Sequence, residues 1–421
     1  MKVCVIGAGA AGLCAARHLA ANSHKFELSV FEKSSDIGGT WIYTDNVGLD
    51  DSGLPVHSSM YKNLRTNLPK EIMSFPDFPV MKGEHKSCVS HQTVLNYLKD
   101  YARRFNLRQY IELNTLVESV QLVPSTEQCH SEKWKVKVRN IKSRETKEEV
   151  FDAIIVCNGH YFEPYIPSIP GISNFHGQII HSHKYRTAEA FSGKTVILLG
   201  ASSSGIDIAF ELSGHASQVY LSHNKERLAN ERNCLGFNEV RGVEKYEDKA
   251  FVLRDGERIG NVDVLLLCTG YQFVYPFLEA SCDIRVDDNY VSPLYKHLIN
   301  VEHPTMCLLG VPMLVVPFPL FHVQIQYFLA LLKEEARLPS KAVMLEDAKL
   351  KTPKKRHAHK LSSAQWAYND ELASAGNFEG LPPYYRLGYE AWRQKAMSNL
   401  KHYKQFNLVV EADKLSVRIA E

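Results

Sequence analysis

The chain has 421 residues, of which 45% are hydrophobic and 23% are charged, and its formal net charge is +2. This length allows two or three domains with a sizeable buried core. The balanced charge disfavours a nucleic acid as the main partner, because proteins that bind a phosphate backbone concentrate positive charge.

The cysteines and the termini bear on metal binding and localisation. The nine cysteines are scattered, and no two have the C-x-x-C spacing of a zinc knuckle or a redox dithiol. We therefore predict no bound metal and a reducing compartment. Met1 leads directly into a predicted strand, and the longest apolar run, 307–332, is interrupted by prolines and polar side chains. We predict a cytoplasmic protein without a membrane anchor, secreted only if an upstream leader has been removed.

The apolar runs and glycine turns predict an α/β fold with two Rossmann-like dinucleotide-binding domains. In chain order, the predicted strands are 2–6, 26–31, 134–138, 151–157, 195–199, 218–222 and 262–268. Predicted helices follow the turns at 7–12 and 200–205, and others cover 91–105 and 324–335; 34–79 reads as loop and 341–360 as solvated surface. We expect the domain 169–275 to be inserted into a discontinuous domain formed by 1–168 and 276–421.

The first glycine turn has the spacing G-x-G-x-x-G at residues 7–12. The first glycine allows a tight turn, the second lets the backbone approach a pyrophosphate, and the third lets helix and strand pack closely. Glu32 closes the next strand about 20 residues later and can accept hydrogen bonds from ribose hydroxyls. The turn therefore favours FAD or NAD over a 2′-phosphorylated cofactor. A glycine-rich turn without a ligand is the alternative.

The second turn, GASSSG at residues 200–205, again lies between a predicted strand and a predicted helix. The strand after it ends in Ser222 and His223, without a carboxylate in the position of Glu32. Basic and hydroxyl groups hold a 2′-phosphate that a carboxylate would repel, so this turn favours NADPH over NADH. Lys225 and Arg227 are the candidate phosphate ligands, and a solvated helix start is the alternative.

Further motifs, taken together, resemble the class B flavin monooxygenases, and among them the flavin-containing monooxygenases of amines and sulfides. Residues 32–41 look like the family's second flavin-binding stretch, and 66–79 resemble the loop that carries its active-site asparagine. Residues 175–185 match its FxGxxxHxxxY pattern, and 267–271 match its (L/F)ATGY box with Cys268 in place of alanine. The motifs run in the family's order from residue 7 to 271.

This resemblance implies FAD and NADPH as cofactors, and it assigns the residues that bind them. The implied cofactor-binding residues are Gly7, Gly9, Ala10, Ala11, Gly12, Glu32, Lys33, Gly39, Thr40, Trp41, Thr66, Asn67, Val117, Gly200, Ser202, Ser203, Ser204, Gly205, Ser222, His223, Lys225, Thr269, Gly270 and Gln326. We expect the FxGxxxHxxxY residues to join the domains and support cofactor movement, a structural histidine being the alternative to a catalytic one; they are Phe175, Gly177, His181 and Tyr185.

The resemblance also implies a mechanism in which NADPH reduces the flavin and O2 adds to give a C4a-hydroperoxide. A tertiary amine or a sulfide then becomes an N-oxide or S-oxide, the cofactor supplying the difficult chemistry. Asn67 is the predicted catalytic residue, because its amide can donate to the peroxide or to NADP and accept in return. A loop asparagine that caps a turn is the alternative. The implied partners are a small nucleophilic substrate, O2 and further copies of the chain in a homo-oligomer.

Within the family, the short chain resembles the insect members, among them the pyrrolizidine alkaloid N-oxygenases. The runner-up function is Baeyer–Villiger oxygenation of ketones, although the motif ends in Lys184 and Tyr185 and lacks the tryptophan followed by proline or aspartate of those enzymes. A disulfide reductase of the same fold would need a cysteine pair close in sequence. A flavin sensor would need no second nucleotide site, so the turn at 200–205 counts against it.

Overall fold

The computed structural model describes residues 1–123, 132–228, 235–413 and 415–421. The fold is α/β and contains two Rossmann-like units, each built on a sheet whose central strands run parallel. The second unit is inserted into the first. The domain boundaries at 168/169 and 275/276 stay a prediction.

The first sheet contains, within the described residues, seven strands. Their order across the sheet is Leu294–Tyr295, Ile299–Asn300, Met306–Leu308, Ala153–Val156, Lys2–Ile6, Glu27–Phe31 and Ile111–Glu112. The last five run parallel, and the first two pair antiparallel. Every residue of Ala153–Val156 is buried, as expected for a parallel strand covered on both faces. The chain returns to this sheet after the inserted unit, because Met306–Leu308 pairs with Ala153–Val156.

The second sheet has five parallel strands in the same described ranges. Their order is Asn238–Arg241, Gln218–His223, Thr195–Leu199, Val264–Leu267 and Gln178–His181. The central strand is apolar after Thr195, and its three middle residues are buried between neighbouring strands on both sides. The two connections between the units pair as short antiparallel strands, Glu163–Pro164 with Tyr271–Gln272.

Smaller antiparallel sheets and the helices complete the fold. The other paired strands are Thr115–Val123 with Lys133–Asn140 and Thr146–Phe151; Val243–Glu247 with Ala250–Leu253 and Arg258–Gly260; Arg285–Asp287 with Tyr290–Ser292; and Asn407–Val410 with Val417–Ala420. The α-helices are Ala10–Ala20, Lys70–Met73, His91–Arg104, Ser203–Leu212, Pro317–Leu332, Lys341–Asp347, Gln365–Ala375 and Tyr384–Ser398.

Local sequence explains where these helices begin. Ser90 caps His91–Arg104, since its side chain accepts a hydrogen bond from the amide of Thr93 at 3.3 Å. Pro317–Leu332 begins seven residues before the predicted 324, because proline fits the first helical turn, where its missing N–H costs nothing. This helix packs against Ala10–Ala20 in the main core. In the described part of the chain, every helix is too short or too polar to cross a bilayer.

Candidate cofactor-binding site

The first glycine turn leaves no room for side chains at two of its positions. Gly7 has a φ of +103°, and a Cβ there would lie 2.6 Å from the carbonyl oxygen of Cys157. A Cβ on Gly12 would lie 1.8 Å from the carbonyl oxygen of Gly7. Strand, turn and helix are therefore packed backbone against backbone, as the first and third glycines of the motif require.

The second glycine of the motif lies next to another glycine, Gly39, so that only backbone atoms meet here. A Cβ on Gly9 would lie 3.5 Å from the Cα of Gly39, whose own φ is +58°. Gly39–Trp41 forms a short helical turn that carries Thr40, and the amide of Gly38 donates to the carbonyl of Ala8 at 3.0 Å. Gly9 caps the helix that contains Ala10 and Ala11. A helix N-terminus bordered by bare backbone fits a pyrophosphate.

Glu32 connects this turn to the loop that follows it. Its carboxylate accepts hydrogen bonds from the amides of Ala8 at 2.7 Å and Ser34 at 2.8 Å. Each oxygen keeps lone pairs for a ribose hydroxyl. Burial lowers the pKa of the neighbouring Lys33. Val117 lies buried in the strand Thr115–Val123, in the core cluster that also contains Phe31.

The second turn repeats the packing of the first. Gly200 has a φ of +113°, and a Cβ there would lie 2.5 Å from the carbonyl oxygen of Cys268. A Cβ on Gly205 would lie 1.8 Å from the carbonyl oxygen of Gly200. Cys268 thus occupies the place that Cys157 occupies in the first unit. Ser202 precedes the helix Ser203–Leu212, whose first turn contains Ser204, so the second turn also presents a helix N-terminus.

Ser222 and His223 have protein partners in the structure. Ser222 donates to the carbonyl of Arg241 at 3.0 Å and accepts from the amide of Val243 at 2.9 Å. His223 contacts Glu239 through Nε2 at 2.8 Å, and its Nδ1 accepts from the amide of Lys225 at 3.1 Å. Both side chains fasten the neighbouring strand, and their contact with a cofactor stays a prediction.

A small basic pocket lies beside these residues, lined by His223, Lys225, Arg227, Glu239, Val240 and Arg241. Lys225 donates from Nζ to the carbonyl of Ala201 at 2.7 Å, which places its ammonium group at the second turn. Three cations in one pocket suit a phosphate group. Sequence reasoning missed Arg241, because the residue stands opposite His223 only through the register of two parallel strands.

The loop that carries Asn67 contacts the second turn. Asn67 is exposed, and its Nδ2 donates to the hydroxyl of Ser203 at 3.2 Å. The backbone carbonyl of Asn67 accepts a hydrogen bond from Nε1 of Trp392 at 3.1 Å. The buried Thr66 holds the loop from the other side, since it exchanges hydrogen bonds with the backbone of Val89. The structure therefore brings together a predicted residue of the first site and a predicted residue of the second.

The helix that begins at Ser203 is fastened to the first unit by further polar contacts. Tyr61 donates to Asp207, and Asn63 donates to Glu211 at 2.7 Å. Within the second unit, Tyr185, the last residue of the FxGxxxHxxxY motif, donates to the other oxygen of Glu211 at 2.7 Å. Apart from Tyr185, these residues were missed at the sequence level, because nothing local marks side chains that meet across a fold.

The other residues of this motif have structural contacts. Phe175 packs against Phe251 with ring centroids 5.0 Å apart, and a Cβ on Gly177 would lie 2.5 Å from the carbonyl oxygen of Asp263. His181 donates from Nε2 to the carbonyl of Gly270 at 3.0 Å, and its Nδ1 accepts from the amide of His183 at 3.1 Å. Burial lowers the pKa of His181 to about 4. The contacts of Phe175 and Gly177 lie within the second unit, and that of His181 reaches Gly270, beside one connection between the units. The expected joining role stays a prediction.

Thr269 and Gln326 are the remaining predicted residues. Thr269 donates to the carbonyl of Tyr165 at 2.5 Å and so joins the two connections between the units. Gln326 donates to the carbonyl of His322 at 3.1 Å within its own helix. Gln324, two residues earlier, is fully buried and accepts from the amide of Gly310 at 2.9 Å. A cofactor contact of Gln326 stays a prediction.

One group of side chains in the described residues has the composition of a metal site. Potential ligand atoms of Cys14, His18 and His322 lie within 4.8 Å of one another. His18 Nε2 and His322 Nδ1 are 3.1 Å apart, and burial lowers the pKa of both rings, that of His322 to about 4. A hydrogen bond between two neutral rings accounts for this geometry. The prediction that the chain binds no metal stays a prediction.

Comparison with known proteins adds independent findings. The flavin-binding monooxygenase-like (FMO-like) family model matches residues 1–233 and 230–378. The Arabidopsis thaliana protein named flavin-containing monooxygenase FMO GS-OX-like 4 is 37% identical over 88% of this chain and 86% of its own length.

Two solved structures are also similar. S-allyl-L-cysteine S-oxygenase from Allium sativum has 34% identity and a TM-score of 0.85, covering 96% of this chain and 94% of its own. Tmm from Pelagibacter sp. strain HTCC7211 has 26% identity and a TM-score of 0.84, covering 100% and 96%.

Proposed function

The chain belongs to the flavin-binding monooxygenase-like family, whose cofactors are FAD and NADPH, and we propose that it uses them with O2 to oxygenate small sulfides and tertiary amines. The observation that carries this proposal is the hydrogen bond between Asn67 and Ser203. It joins the loop that carries Asn67, in the first unit, to the helix N-terminus of the second turn. Hydride transfer between two bound dinucleotides requires the two sites to lie close together.

The residues present fit both cofactors. FAD would lie with its diphosphate at the helix N-terminus beside Gly9 and Gly39 and with its ribose at Glu32. NADPH would lie with its diphosphate at the helix that begins at Ser203 and with its 2′-phosphate in the basic pocket that Lys225 and others line. When bound, the nicotinamide supplies a hydride and the reduced flavin supplies the activation of O2.

The protein's own residues supply placement. Asn67 presents an amide that donates and accepts, so it can orient a neutral or an anionic oxygen at the junction of the two sites. His181 holds the connection at Gly270 and supplies no proton in this scheme, because both of its nitrogens have structural partners. The closed backbone packing of both turns keeps the cofactor-binding edges rigid.

Sulfides are the first substrate class to test. One similar structure is named an S-oxygenase, and it covers almost all of the chain. The balanced reaction converts a sulfide, NADPH, a proton and O2 into a sulfoxide, NADP⁺ and water. Tertiary amines, including pyrrolizidine alkaloids, are the second class, because an amine lone pair is a nucleophile of the same kind.

A substrate panel tests the proposal. The FAD-loaded chain is supplied with NADPH and with S-allyl-L-cysteine, a trialkylamine, a pyrrolizidine alkaloid or a cyclic ketone, and NADPH consumption and product mass are measured. We expect a gain of one oxygen atom on the sulfide and on at least one amine. A lactone formed from the ketone, with unchanged sulfide and amines, would instead support the Baeyer–Villiger alternative.

A further inference from the structure

The last part of the chain, residues 379–421, lies beyond the region that the family model matches. Its described residues contain the helix Tyr384–Ser398, a short turn at Tyr403–Gln405 and a hairpin of two strands. We call this part the C-terminal segment. It packs against the loop of Asn67, because Trp392 and Leu408 share a buried cluster with Ile72 and Cys88.

Two side chains of this segment reach the junction between the cofactor sites. Lys404 donates from Nζ to Asp207 on the second-turn helix at 2.5 Å and to the carbonyl of Arg65 at 3.2 Å. Trp392 is buried, and its Nε1 donates to the backbone carbonyl of Asn67 at 3.1 Å. The same segment thus holds both the loop and the helix whose hydrogen bond joins the two sites.

The contacts of Lys404 are largely buried, which strengthens its attraction to Asp207. The side chains of Lys404 and Asp207 are 17% and 29% exposed, so water screens their attraction only partly. Asp207 also accepts from Tyr61, and one carboxylate therefore receives a donor from the first unit and another from the C-terminal segment. Moving the helix away from Asn67 would break both contacts.

We infer that Lys404 and Trp392 are positioning residues: they hold Asn67 against the helix that begins at Ser203, and thereby set how tightly the oxidised nicotinamide cofactor is retained. The inference rests on the proposed function of the two turns. It concerns residues outside both turns and outside every motif of the sequence.

The test compares Lys404→Met with Lys404→Arg and with Lys86→Met. Lys404→Met keeps the length of the side chain and removes its charge. Lys86→Met is the matched control, because Lys86 makes a similar contact to the carbonyl of Gln405, at 2.6 Å, without reaching Asp207. FAD content, NADP⁺ affinity by titration and the thermal unfolding temperature are measured for each variant.

We expect Lys404→Met to keep its FAD and to bind NADP⁺ about tenfold more weakly, with recovery in Lys404→Arg and no change in Lys86→Met. With a substrate of the panel, Lys404→Met and Trp392→Phe should release a larger share of the consumed NADPH as hydrogen peroxide. Equal loss of stability in Lys404→Met and Lys86→Met with unchanged NADP⁺ affinity would overturn the inference. The binding titration needs no turnover, so it remains readable if no substrate is oxygenated.

Discussion

Asn67 and Ser203 lie 136 positions apart in sequence, and a 3.2 Å hydrogen bond from Nδ2 to Oγ connects them in the structure. Asn67→Ala removes this donor. We expect the variant to retain FAD, because the first turn is unchanged, and to release most of the consumed NADPH as hydrogen peroxide, measured against product formed. Asn63→Ala is the control, since Asn63 donates to the same helix through Glu211. Normal coupling in Asn67→Ala would refute the role of Asn67.

The basic pocket predicts discrimination between the two nicotinamide cofactors. Lys225→Ala, Arg227→Ala and Arg241→Ala should each weaken NADPH binding about tenfold, the worth of one charge-assisted hydrogen bond at a partly exposed site. NADH binding should change by less than about twofold, because NADH carries no 2′-phosphate. Lys245→Ala is the control, because it also removes a cation, one that does not line the pocket and instead pairs with Glu247 at 2.9 Å. If both cofactors weaken equally, the pocket does not hold the 2′-phosphate.

Gly9→Ala tests whether the first turn holds the diphosphate of FAD. Gly9 has a φ of −74°, and a new methyl group would make an ordinary 3.5 Å contact with Gly39, so the chain should fold with unchanged thermal stability. The methyl group would stand where the backbone is expected to approach the diphosphate, and FAD affinity should fall about tenfold or more. Gly214→Ala serves as the control. A variant that binds FAD normally would place the diphosphate elsewhere.

The lowered pKa of His181 predicts that the folded chain loses stability in acid. Its pKa is lowered to about 4 in the folded chain, while an exposed histidine titrates near 6.5. Between these values the unfolded chain binds a proton that the folded chain does not, so stability is complete above about pH 6.5 and falls as the pH drops toward 4. Relative to neutral pH, this one group lowers the free energy of unfolding at pH 5 by ~2 kcal/mol.

Urea unfolding of the FAD-loaded chain at pH 8 and pH 5 measures this effect. His181→Gln should reduce the difference in unfolding free energy between the two pH values. His24→Gln, at an exposed position, should leave the difference unchanged. An identical pH dependence in His181→Gln and the wild-type chain would show that other groups govern the acid transition.

Sequence patterns predicted the elements in which local chemistry and burial agree. Lys2–Ile6 and Thr195–Leu199 were predicted with the bounds that the structure shows, because a parallel strand buried on both faces is a continuous apolar run. The predicted start of the helix Pro317–Leu332, at residue 324 and not at Pro317, was wrong. Proline ends a helix when it lies in the interior, but it suits the first turn.

The parts of the site that join the two units could not be predicted. The contact between Trp392 and Asn67 spans 325 positions, and that between Lys404 and Asp207 spans 197. Contacts of this kind depend on how helices and sheets pack, and they leave no periodic pattern in the chain. Arg241 was missed for a related reason, since strand register places it beside His223.

The equivalence of the two glycine turns separates affinity from selectivity. A Cβ on Gly7 or on Gly200 would lie 2.6 or 2.5 Å from a cysteine carbonyl oxygen, so the two turns are packed alike at this position. We propose that the distinction between an adenosine with a free ribose and one carrying a phosphate is made at the ends of the neighbouring strands, at Glu32 in one unit and around Lys225 in the other. On this proposal, cofactor preference would be a modular property, open to redesign at a few side chains while the two glycine turns stay unchanged.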